Sequence, residues 1–179
     1  MRNAAWPSVA AMDRDEYLHK LRDRRARFAL VLTELGLSLE RDAHLGRQVG
    51  GGWTLGEHLV HLAAWERRYG RVVSRKPRVG PSNWQKFNDA VYEEWRGVLP
   101  QQARDEYESA HRGLLKAIRA VPATGDPKRP GLFDGWDLSA VLSHYREHAT
   151  ILLLHAGKPK PPAWRGRLPT LRVRSGPPH

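Results

Sequence analysis

The chain has no cysteine at all. This excludes a disulfide framework, a thiolate metal site and a cysteine nucleophile, so any metal would have to be held by histidine or carboxylate. It also has no apolar run near the roughly 20 residues that a membrane-spanning helix needs. The start, MRNAAWPSVAAMDRDEY, lacks the long apolar core of a secretory signal, so the expectation is a cytoplasmic protein with no membrane partner. Alternating strand patterns of useful length are missing too, and so is any internal repeat of solenoid period. Acidic residues are in deficit. The formal charge is +11, but residues 157–179 hold six Lys or Arg and no acid, so most of the excess is local.

That last segment, GKPKPPAWRGRLPTLRVRSGPPH, also carries six prolines, which prevent helix and leave little to pack. It reads as a basic Pro/Arg-rich arm over 157–179, able to make non-specific contact with nucleic-acid phosphates. Residues 1–12 read as a shorter amino-terminal arm, and 179 residues in all demand no second domain.

Between the arms, four segments repeat apolar residues at helical spacing. Asp13 and Glu16 form a capping pair ahead of Leu18, Leu21, Phe28, Leu32 and Leu35, with Gly36 as the stop. The middle of this helix, RDRRAR, reads as a solvated face. Thr54 and Glu57 form a second capping pair for a helix reaching about Ser74, after the Gly-rich reversal GRQVGGGW. A short helix, NWQKFNDAVYEEW, precedes Pro100, and a third long helix follows with Tyr107, Leu114, Leu115, Ile118 and Val121 as its buried stripe. Asp137 can cap the fourth, which Gly157 and Pro159 end. The fold class predicted is all-α: a four-helix bundle over 13–156 with a short extra helix between its second and third helices.

Chemistry concentrates in the histidines. His144 and His148 stand at i and i+4, so their Cβ atoms lie roughly 5 to 6 Å apart on one helix face. Val141, Tyr145 and Leu152 share that face, which turns the pair inward, where an imidazole needs a partner. His61 can join them if the second and fourth helices pack side by side. Three neutral imidazoles suit a divalent metal such as zinc, nickel or iron with a position open for water. A hydrogen-bonded pair without metal fits the same spacing.

WTLGEHLVHLAAWE, followed far downstream by HYREH, resembles the DinB/YfiT-like superfamily of four-helix bundles over residues 13–156. The resemblance implies a divalent metal held by His61, His144 and His148, and leaves His58 as a rim or supporting group of the substrate pocket. NWQKFNDAVYEEW is similar to the ClbS/DfsB-like branch of colibactin self-protection proteins, which makes Asn88 and Tyr92 its N-x-x-x-Y element. On that reading Tyr92 is a catalytic candidate and Asn88 belongs to the pocket; apart from the resemblance, Tyr92, Tyr145, Trp53, Trp65, Trp84 and Trp95 are large aromatics that could line an apolar cleft for a flat ligand, their alternative being core packing. Glu66 is the favoured proton acceptor, its alternative being a salt bridge to Arg67, Arg68 or Arg71; Glu57 has the competing work of capping.

A metal at such a site acidifies its water from about 15.7 towards about 7, which suits hydrolysis of a small electrophile. The function expected is a metal-dependent hydrolase or detoxifying, self-resistance enzyme. A thiol S-transferase using a low-molecular-weight thiol, and a non-enzymatic drug-sequestering or DNA-binding protein, are the alternatives. A monomer or homodimer is expected.

Overall fold

The computed structural model describes residues 12–133 and 136–159. Most of both arms, and the side chain of Asp137 with its expected cap, lie outside the described residues. The helices are α1 (Arg14–Glu34), α2 (Asp42–Leu45), α3 (Leu55–Val73), α4 (Trp84–Trp95), α5 (Pro100–Arg119) and α6 (Trp136–His155). α1, α3, α5 and α6 form the four-helix bundle: α3 packs on α5 and α6, and α1 closes the ring against α6 and α5.

The helix starts follow from their caps. Asp13 accepts the Glu16 amide at 2.7 Å. Thr54 and Glu57 complete a reciprocal box, the Glu57 carboxylate accepting the Thr54 amide at 2.7 Å. The other oxygen of Glu57 accepts the Gly97 amide at 2.9 Å, tying the end of α4 to the start of α3. Pro100 occupies the first turn of α5, where its missing N–H costs nothing.

Two small elements escaped prediction. Asp42–Leu45 make a single helical turn, and β1 (Gln48–Gly50) pairs antiparallel with β2 (Trp53–Thr54) as a minimal hairpin. Gly50, Gly51 and Gly52 all have positive φ, which lets so short a loop reverse. A methyl group on Gly50 would lie 2.9 Å from the Ile151 side chain and 3.1 Å from that of His155, so this hairpin can press against α6 only through glycine.

The expectation of a freely solvated RDRRAR face needs correction. Arg25 stacks over the Tyr107 ring at 4.1 Å and pairs with Glu108, while Arg27 pairs with Asp23 at 2.8 Å. Arg25 thereby seats α1 on α5, since a guanidinium can lie flat on an aromatic face and still reach a carboxylate, while the Arg27 pair stays within α1.

The core also contains a buried acid. Glu66 is fully buried, accepting the Tyr145 hydroxyl at 2.7 Å and contacting His111 Nδ1 at 3.0 Å. The trio links α3, α5 and α6. Glu66→Leu should therefore destabilise the protein by about 3 kcal/mol or more, because it strands a buried hydroxyl and a buried imidazole, and Tyr145→Phe by about 1–2 kcal/mol. Urea denaturation of the two variants checks both values and their order.

Candidate functional site

A cleft of about 460 Å³ opens between the start of α3, the middle of α6, α4 and the glycine hairpin. Its inner wall is histidine. His58 and His61 come from α3 and His144 and His148 from α6. Their ring centres are 5.1 Å apart for His61 and His148, 5.8 Å for His61 and His144, and 6.2 Å for His144 and His148. Trp53 from the hairpin stacks on Tyr92 from α4, with centres 5.2 Å apart and planes 13° from parallel, and forms the aromatic wall. Asn88 and Tyr92 therefore share the cleft with the histidines.

The hydrogen bonds assign the proton on each ring. His144 Nδ1 lies 2.8 Å from the Ala140 carbonyl, which can only accept, so Nδ1 is protonated and Nε2 holds the lone pair. His58 Nε2 lies 3.2 Å from the Gly50 carbonyl and donates to it, leaving a lone pair on its Nδ1. His148 Nδ1, 2.7 Å from that nitrogen, must then be the donor, and its Nε2 is left as the base. The Trp65 indole N–H is shared between His61 Nε2 at 3.1 Å and Asn88 Oδ1 at 3.0 Å, so His61 too has its lone pair on Nε2. His61 Nδ1 is buried without a hydrogen-bond partner among the described residues.

Burial, more than any neighbour, holds these rings uncharged. Desolvation lowers the pKa of His58 to about 4 and of His61 to about 3, and it pushes His144 down and His148 well down. Adjacent imidazoles add to the effect on His61 and His148, because two positive rings side by side repel.

This donor set suits a divalent metal in its chemistry: three neutral imidazoles with Nε2 as base, one of them carrying an unsatisfied buried nitrogen. As the rings stand, no group of three or more His, Asp or Glu among the described residues is placed to hold an ion. His148 is turned towards His58, so ligation calls for rotation of the rings about their side-chain bonds.

Other expected site residues lie elsewhere. Glu66 and Tyr145 bond to each other in the core and do not line the cleft; five residues on from His61, Glu66 faces a different side of α3. Its partners are His111 and Tyr145 rather than Arg67, Arg68 or Arg71. Trp65 is 2 % exposed and stands behind the histidines, its ring 4.6 Å from that of His144. His155 is exposed on the last turn of α6. Gln85, Asp89, Glu147 and Ile151, which the motifs do not single out, border the cleft. Helical spacing from Asn88 and His148 was their one signal.

An all-α bundle with a histidine-walled cleft between its second and last long helices defines the class of protein. The chain belongs to the DinB superfamily, whose family model matches residues 20–151, well over half its length. Comparison with curated proteins and with solved structures gives no match. Among the described residues no helix is long and apolar enough to cross a membrane.

Charging the buried imidazoles must oppose folding. An unfolded histidine takes up its proton near 6.5, whereas the folded rings resist until about 4 and 3, so the unfolded state binds more protons in this window. Stability is complete above pH 6.5 and falls as the pH drops towards the folded values, by up to about 1.4 kcal/mol per pH unit for each such ring. Denaturation of chelator-treated protein at pH 7, 6 and 5 should show that decline before most carboxylates titrate, and replacing His58 by Gln should make it shallower by one ring's share, the other buried imidazoles remaining.

Proposed function

We propose that the cleft is a metal-dependent catalytic site in which His61, His144 and His148 hold a divalent ion, zinc, nickel or iron. On this reading the protein is a hydrolase or detoxifying enzyme that acts on a small electrophilic molecule. One observation carries the proposal: three neutral imidazoles in the wall of one cleft all keep Nε2 as the lone-pair nitrogen. An ion bound there would supply Lewis acidity and an acidified water.

The chain's own residues do the rest. His58 receives the proton of His148 Nδ1 and passes the orientation on to the hairpin through Gly50, fixing which nitrogen of His148 is basic. Asn88 can take the Trp65 N–H alone and so release His61 Nε2 from that hydrogen bond. The Tyr92 hydroxyl and the Asn88 amide are neutral polar groups on the cleft wall that can orient a substrate, and the stacked Trp53 and Tyr92 rings keep that wall apolar. The nearness of Asn88 and Tyr92 to the histidines supports membership of the self-protection branch.

The aromatic wall favours a second reading, a protein that sequesters a flat ligand without transforming it. A carboxylate-bearing thiol co-substrate is disfavoured, since the charged side chains lining the cleft are Asp89 and Glu147. The cytoplasmic setting and loose nucleic-acid contact through the basic arm complete the proposal.

Elemental mass spectrometry of untagged protein, purified without chelator, tests it. Near-stoichiometric zinc, nickel or iron is expected in the wild type and its loss in both His61→Ala and His144→Ala. Metal absent from a wild type that also takes up no added zinc or nickel overturns the metalloenzyme reading in favour of sequestration. His58→Ala should behave differently, weakening zinc about 10- to 100-fold in a chelator competition without abolishing binding, because it removes support and not a ligand.

A further inference from the structure

The cleft carries the opposite charge to the chain around it. The protein has a formal charge of +11, yet the charged side chains that border the cleft are Asp89 and Glu147, with no Lys or Arg among the described residues lining it. The two carboxylates come from different helices, α4 and α6, and both are exposed at the mouth. Asp89 has one long contact, 3.5 Å from the Gln85 amide, and Glu147 has no hydrogen bond or ion pair among the described residues. Among the described residues neither is paired with a cation.

The guanidinium that lies over the cleft-lining Tyr92 is already engaged. Arg96 lies over the Tyr92 ring at 4.8 Å and pairs with Glu93 at 2.5 Å. The inner wall offers uncharged imidazoles, one of which, His61, is 3 % exposed and keeps its Nδ1 without a partner. The stacked Trp53 and Tyr92 rings also line the cleft, Trp53 standing 5.0 Å from the His61 ring. Acidic groups at the edge, an electron-rich aromatic surface within and no basic side chain among the described residues lining the cleft favour one class of ligand.

We propose that the cleft takes a flat, cationic organic molecule, a conjugated ring system bearing a protonated amine or amidine. Its ring lies against Trp53, and its charge points to Asp89 and Glu147. This rests on the reading of the cleft as the substrate site and names the substrate class for it. The arrangement places the uncharged portion of such a molecule towards the histidines, away from its cationic end. A cation at the mouth thus approaches two carboxylates, while an anion meets repulsion before it reaches the inner wall.

The test uses three ring systems of matched size on full-length, chelator-treated protein: 9-aminoacridine, cationic at neutral pH, neutral acridine, and anionic acridine-9-carboxylate. Calorimetric titration should show the cation binding about tenfold or more tightly than acridine, with the anion weaker than both. The Asp89→Asn, Glu147→Gln double variant should lose this preference while its affinity for neutral acridine is kept. Added salt should weaken the cation alone. Equal binding of the three, a preference for the anion, binding of none, or a cation preference that survives the double variant each overturns the proposal. Both side chains are exposed and unchanged in shape by these substitutions, and the single variants guard against misfolding. Metal content is measured separately: a metal-loaded protein without the cation preference refutes the ligand class alone, and a cation preference without metal refutes the catalytic reading alone.

Discussion

α3 is buried on almost every side, with 16 of its 19 residues out of solvent, and the rest of the structure is arranged around that constraint. A helix so enclosed has no surface on which to leave a polar side chain, so each polar group it carries has to be answered by another element. Glu57 is answered by the Gly97 amide and by its own cap, and His58 by the hairpin and α6. Glu66 is answered by α5 and α6. Arg68 reaches the Val79 carbonyl at 2.6 Å and lies 4.4 Å over the Phe87 ring, which fastens the loop before α4. The polar residues of this one helix therefore recruit the hairpin, α4, α5 and α6. Among the described residues, Glu66 Oε2 in the core and His61 Nδ1 are buried atoms of α3 left over, and of these only the second belongs to a residue in the wall of the cleft.

Much of this was legible in the residue pattern. The caps at Asp13 and Thr54, the proline at 100 and the apolar stripes located the long helices, because these signals act over a few residues and survive any tertiary context. The inward face of α6 followed from the same periodicity, and with it the meeting of His144 and His148 with α3. What the pattern could not resolve was direction on a helix with no exposed face. Glu66 has arginines beside it in sequence, and surface rules would pair it with them, yet burial turns it towards His111 and Tyr145, 45 and 79 residues away. Arg25 misled for the opposite reason: a run of charges suggests solvent, and stacking on Tyr107 shows in no spacing rule.

The hairpin was invisible because a three-residue and a two-residue strand, one of them ending in glycine, carry no strand periodicity. Its effect is nevertheless large. The Gly50 carbonyl decides where the proton of His58 sits, and His58 in turn decides which nitrogen of His148 is basic. That chain of two hydrogen bonds runs from a loop, through α3, into α6, and it depends on a glycine that can approach α6 where no other residue fits.

The polarity of the cleft is a separate property from the chemistry of its inner wall, and the two come from different parts of the helices. The histidines occupy buried positions, where desolvation keeps them uncharged whatever the net charge of the chain. Glu147 is next to His148 in sequence and exposed, so one helix contributes a neutral ring to the inner wall and a carboxylate to the mouth. Asn88 and Asp89 divide in the same way on α4, the amide meeting Trp65 and the carboxylate standing in solvent. Neighbouring residues on a helix point about 100° apart, so a single turn facing a cleft presents one side chain inward and the next to its edge. Changes at the edge positions can thus alter which molecules enter the cleft without removing a histidine from its inner wall.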